Sequence, residues 1–182
     1  MPVSPFGWVI ERAQPWVLAG LTLLLAVLTF WLTSLGRELV NPEAPLGIVS
    51  YELAGSLGRS SSILRSWSTD AKATAMLILG LDSLYLLVYP AWFSLAAARL
   101  GAGLGGWWHR AGSTVSWGAL AAAPLDAAEN LALIRQLVDG PAAAYAQLAW
   151  WCAVPKFAAV ALAGLFLAFG GSAWLLARAR AA

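Results

Sequence analysis

Cysteine and histidine are all but missing from this sequence, with one of each in 182 residues. The lone Cys152 excludes an internal disulfide and a thiolate metal cluster within one chain. The lone His109 excludes bis-histidine haem ligation and histidine-rich metal chemistry. No serine, histidine and aspartate set stands ready for nucleophilic catalysis, and no cofactor is expected. Charge is scarce as well. Asp, Glu, Lys and Arg together make up 11% of the chain, with a formal net charge of +2. No basic run is interleaved with aromatics, so nucleic acid is not among the expected partners.

What the sequence has instead is oil. Sixty per cent of its residues are apolar and its mean hydropathy is strongly positive, far from the balance of a soluble domain. The apolar residues come in long blocks rather than in alternating or amphipathic patterns, which makes membrane lipids the expected partner of their surfaces. Residues 16–35 are about 20 residues of hydrocarbon-like sequence, longer than a secretory h-region, without a small-x-small cleavage site. They read as a retained first span, opened by Pro15 at a first-turn position and closed by Gly36 and Arg37.

Residues 71–98 and 113–134 read as the second and third spans. The last apolar block, 141–177, would make a helix of roughly 55 Å at about 1.5 Å per residue, nearly twice the bilayer's need. Pro155 removes a backbone donor, so an elbow is expected there. That divides the block into an interfacial or steeply tilted helix over 142–153 and a fourth span over 157–177. In the first loop, Pro45 can start a helix. Leu46, Val49, Leu53 and Leu57 then follow at helical spacing, an amphipathic segment over 45–57 that lies on the membrane or dips into the bundle. A second short helix is expected from Ser60, carrying Ile63, Leu64 and Trp67.

The expected fold is therefore all-α: one transmembrane domain over residues 1–182, an integral membrane bundle of four transmembrane helices with a short amphipathic helix in the first loop. Arg12, Arg99, Arg110, Arg178 and Arg180 sit in short flanks with one acid, Glu11. This points to both termini being cytoplasmic in a bacterial inner (plasma) membrane. Trp16, Trp107, Trp108, Trp150, Trp151 and Trp174 fall near expected span ends, where indole rings anchor at the headgroups. Gly101, Gly103 and Gly106 form a GxGxxG-like string, but it joins two spans rather than following a strand, so it reads as a turn. Ala119, Ala123, Ala127 and Gly164 suit close helix approach.

Against this background the carboxylates stand out. Placing an ionised acid at the bilayer centre costs at least about 2.5 kcal/mol, so such groups usually face a bundle interior. Asp82 lies well inside the second span, and Asp126 and Glu129 well inside the third. Consecutive spans run antiparallel, so Asp82 and Asp126 are expected at similar depth, facing one another. Asp82, Tyr85 and Tyr89 share one helical face, and Asp126, Glu129 and Asn130 share another. Lys156 is the natural counter-charge to Glu129, and Glu52 is placed to close over the site from the loop. Pro90 and Pro124 free backbone carbonyls nearby.

These residues lead to three readings. The first is an intramembrane carboxylate cluster that binds a proton, a small cation or a small amphiphilic ligand, its oxygen-only donors suiting a hard cation. The second is an intramembrane enzyme acting on a lipid or isoprenoid-like substrate, one buried carboxyl serving as general acid. The third is a non-catalytic subunit, in a homo-oligomer or a membrane complex, whose polar residues only lock helices or dock a partner.

Overall fold

A computed structural model describes residues 5–7, 9 and 11–181. Helix takes up 86% of the described residues and there is no strand among them. The helices are α1 (Gln14–Gly36), α2 (Ile48–Glu52), α3 (Leu57–Ser66), α4 (Thr69–Leu104), α5 (Gly106–Asp139) and α6 (Ala143–Ala181), with a 3-10 turn over Arg37–Leu39 after α1. Three of them are long and apolar enough to cross a membrane: α1 with its 3-10 extension, α4 and α6. That is the signature of an integral membrane protein. α5 has the length, at 34 residues, but Asp126, Glu129, Asn130, Arg135 and Gln136 interrupt its apolar sequence.

The chain divides into two compact units. One comprises Ala26–Leu87 and Pro124–Lys156; the other comprises Met1–Leu25, Val88–Ala123 and Phe157–Ala182. The first unit holds the loop elements and the principal core. Leu39, Tyr51, Ile63, Leu64 and Trp67, all from the segment between α1 and α4, pack with Ala75, Ile78 and Leu79 of α4, Ala132 and Leu133 of α5 and Ala149 of α6. Each aliphatic side chain so covered contributes about 1.5–3 kcal/mol relative to exposure in water.

Polar capping gives the loop its fixed path into this core. Asn41 Oδ1 accepts from the backbone N–H of Glu43 and of Ala44, both at 2.9 Å, and its Nδ2 donates to Ser66 Oγ at 3.0 Å. Ser56 caps α3 by accepting from the Arg59 N–H. Ser68 does the same for α4, where Ala71 N–H donates at 3.1 Å. These bonds satisfy backbone donors that a helix start otherwise leaves open. Trp67 donates its indole N–H to the Leu39 carbonyl at 2.9 Å, which ties the end of α3 to the 3-10 turn.

Two loop expectations are corrected. The stretch 45–57 is not one amphipathic helix: α2 is only five residues long, and the chain then breaks before α3 starts at Leu57. Gly47 and Gly55 both take positive φ, 59° and 67°, conformations that a continuing right-handed helix does not contain. The residues from 60 onward do not start a helix of their own but continue α3, and Trp67 lies just past its end.

The second unit is held by close helix approach and a few polar bonds. A Cβ on Gly112 of α5 would lie 2.6 Å from the Ala97 carbonyl oxygen and 3.0 Å from Gly101 Cα of α4. The backbones therefore touch at a glycine pair. Ser116 Oγ donates to the Ser94 carbonyl at 2.8 Å on the same face. Trp92 Nε1 donates to Thr22 Oγ1 of α1 at 2.7 Å, and Arg99 donates to Gln14 at 2.9 Å. On α6, Gly170 leaves room for Leu100, whose Cδ2 would be 2.7 Å from an added Cβ.

The expected glycine turn is shorter than its string of glycines. α4 runs on through Gly101 and Gly103 to Leu104, and the reversal is made by Gly105 and Gly106 at φ 70° and 56°. Gly101 serves as a packing surface instead. Of the small residues named from spacing, Ala119 is buried, whereas a Cβ on Gly164 would meet nothing within 4 Å. Pro155 likewise does not divide the last block, because α6 is one 39-residue helix that contains it. In an apolar setting, breaking further backbone hydrogen bonds costs more than tolerating the one that proline forfeits.

Candidate functional site

The first unit gathers most of the chain's buried charge around one ammonium group. Lys156, at the end of this unit's share of α6, is 6% exposed, while Asp126 and Glu129 of α5 are 2% and 0% exposed. Asp126 and Glu129 stand three residues apart and so share a helix face. Lys156 Nζ donates to Asp126 Oδ1 and to Glu129 Oε1, both at 2.9 Å. Its distances to Glu129 Oε2 and Glu52 Oε2 are 2.8 and 3.7 Å.

Glu52 comes to this group from the loop. The last residue of the short helix α2, it is buried. Its neighbours explain why. Tyr51 donates its phenolic O–H to the Leu133 carbonyl of α5 at 3.2 Å, and its ring meets Trp67 edge-on at 5.4 Å. Burial pushes the Tyr51 phenol well above its usual range, against a smaller opposing effect of the Ser60 hydroxyl, so it remains a donor. On the other flank, the Trp150 ring of α6 lies 3.1 Å from where a Cβ on Gly55 would sit. Pinned to α5 before it and to α6 after it, Glu52 has nowhere to go but inward.

Electrostatics follow from this geometry. Burial raises the Glu52 pKa above the ordinary glutamate range; Lys156 opposes that and Asp126 adds to it. Glu52 Oε2 and Glu129 Oε2 are both buried beside the Lys156 ammonium.

Asp82 comes to the same neighbourhood from α4, near Asp126. Its Oδ2 accepts from Asn130 Nδ2 at 2.6 Å, and it stays within electrostatic reach of Asp126, Lys156 and Glu52. Tyr85 engages α1, accepting from Thr29 Oγ1 at 3.3 Å. Tyr89 is buried but belongs to the other unit. The structure thus brings together Glu52, Asp126, Glu129 and Lys156 and sets the Asp82–Asn130 pair beside them.

Tyr51 and Gln136, which sequence reasoning passed over, help to build this region. Gln136 is 1% exposed and accepts from Ser60 Oγ, fastening α3 to α5. The one available signal was their polarity inside otherwise apolar helical stretches. No family model matches the chain, and neither a curated protein nor a solved structure is significantly similar to it.

Proposed function

We propose that this chain is a four-span membrane protein, with α5 as the fourth span, that holds and exchanges a proton within the group formed by Glu52, Asp126, Glu129 and Lys156. The observation that carries this reading is the convergence of three buried carboxyl groups on one ammonium. With every group ionised, the site would keep a net charge of −2 away from water, which is too costly to maintain. A proton shared by Glu52 and Glu129 removes part of that charge.

Two features favour a proton over a metal cation. Lys156 already occupies the point on which the oxygens converge. Among the described residues, moreover, no three His, Cys, Asp or Glu side chains are arranged to hold an ion. Asp82, held by Asn130 at the edge of the group, is the natural next station for a proton leaving it. The polar face of α5, useless on a lipid-facing helix, is accounted for once it is turned toward this interior.

Infrared difference spectra of the reconstituted protein between acid and alkaline pH test the reading directly. A protonated-carboxyl band that titrates is expected, and it should weaken or vanish in Glu52→Gln and in Glu129→Gln. If no such band appears, or if it is unchanged in both variants, the proposal fails.

A pH dependence of stability follows from Glu52. Because burial raises its pKa, the folded chain keeps a proton that the unfolded chain releases, so stability declines as pH rises above the ordinary glutamate value of about 4.3. The decline ends once the folded pKa is passed. Thermal unfolding measured across that range should show a lower Tm toward neutral pH. Glu52→Gln should flatten the slope and raise Tm at neutral pH; an identical slope in the variant would exclude Glu52 as its source.

A further inference from the structure

A second polar feature of the first unit lies outside the carboxyl group. α3, the start of α4 and the end of α5 enclose a cleft of about 190 Å³, lined among others by Ser61, Arg65, Lys72, Gln136 and the Gly140–Pro141 turn. At roughly 30 Å³ per water molecule, it is too roomy for a single water and too small for a whole lipid. It has room for a tetrahedral oxyanion together with water.

The lining chemistry is one-sided. Arg65 and Lys72 both border the cleft, no acidic side chain does, and among the described residues neither cation has a carboxylate within ion-pair distance. The nearby Asp139 is engaged by Arg135 at 3.5 Å. Gln136 is the decisive residue. Ser60 donates to its Oε1, which leaves its Nε2 as the free end of the amide. That nitrogen is buried and without a hydrogen-bond partner among the described residues. A buried donor is costly to leave unpaired, so an acceptor is missing here. Residues bearing a guanidinium, an ammonium, an amide and a hydroxyl border one cleft, and these are the donor types that phosphate oxygens accept.

We infer that this cleft binds a phosphate group, with Arg65 and Lys72 supplying charge and Gln136 Nε2 and Ser61 Oγ fixing orientation. Lys72 stands in the first turns of an apolar, span-length helix. Basic pockets at such ends are where lipid headgroups are taken up. A phospholipid phosphate and a free phosphate ion present the same oxygens, and the two sources differ only in their acyl chains.

Thermal unfolding of the purified full chain in an uncharged detergent separates them. The probes are short-chain phosphatidylglycerol, inorganic phosphate and a short-chain diacylglycerol that lacks the phosphate. A saturable rise in Tm is expected with a phosphate-bearing probe and none with the diacylglycerol. Arg65→Gln with Lys72→Gln should weaken the affinity at least tenfold, whereas Arg135→Gln, outside the cleft, should leave it unchanged. Stabilisation by phosphatidylglycerol alone assigns the site to lipid, and stabilisation by inorganic phosphate as well assigns it to the ion. Should the double variant not fold, each single substitution is expected to show a partial loss. No rise with either phosphate-bearing probe, an equal rise with diacylglycerol, or equal affinity in the variants would overturn the inference.

Discussion

Replacing Lys156 by methionine is expected to destabilise the protein by about 3–5 kcal/mol, the usual cost of removing one partner from a buried ion pair. Methionine keeps the length and most of the volume of the side chain, so packing changes little. What changes is that Asp126 and Glu129, which receive the Lys156 ammonium at 2.9 Å, lose the cation that pairs with them. Thermal or denaturant unfolding of the purified variant reads the effect. The companion experiment tells charge from shape: Lys156→Met combined with Asp126→Asn and Glu129→Gln should recover a substantial part of the loss, because no uncompensated anion then remains. If Lys156→Met alone unfolds like the parent chain, the ammonium is not what holds these carboxyl groups, and the electrostatic account of the site collapses.

The second large effect belongs to the glycine contact between α4 and α5. Gly112→Leu is expected to cost about 3 kcal/mol or more, toward the upper end for overpacking. Even its first carbon would lie 2.6 Å from the Ala97 carbonyl oxygen. That oxygen is backbone and cannot swing aside as a side chain can, so the two helices must separate and the Ser116–Ser94 bond at 2.8 Å must stretch. Gly118, also on α5, is the control, since a Cβ there would meet nothing within 4 Å. Gly118→Ala should be neutral or gain about 0.5–1 kcal/mol from the lower chain entropy. A comparison of the two Tm values suffices. Equal tolerance at both positions would mean that the helices do not depend on this contact.

The helical class and the long apolar helices could be read directly from the sequence, because unbroken apolar runs of span length leave no other economical backbone. Charge placement pointed to Lys156 as a partner for Glu129, since a lone cation and a nearby acid in oil have few alternatives. The partner of Asp82 was harder to see. Depth counted from span ends that stop several residues short of the turn is too coarse to single out Asn130. The residue as far beyond Gly106 as Asp82 is before Gly105 is Glu129, next to Asn130, the residue that actually bonds it. Once the turn is located, the pairing is arithmetic.

Other features depended on tertiary contacts that no local pattern encodes. Glu52 sits at the end of a five-residue helix and reads equally well as a wetted surface group; only the anchoring of Tyr51 and the packing of Trp150 on Gly55 turn it inward. Pro155 looked like a boundary because proline's cost is set by water-exposed helices, and α6 absorbs it. The role of Gly101 was hidden because glycine in a string suggests flexibility, while its use here is the space left by its missing side chain.

The reversal between α4 and α5 consists of little more than two glycines in left-handed conformation, with helix resuming at once on either side. Such a joint transmits phase. Adding or deleting one residue there would rotate all of α5 by about 100° relative to α4, carrying Gly112 away from Gly101 and Ser116 away from Ser94 together. Natural variation at this bend should therefore preserve its length more strictly than the identity of the flanking residues, making it a ruler rather than a tether.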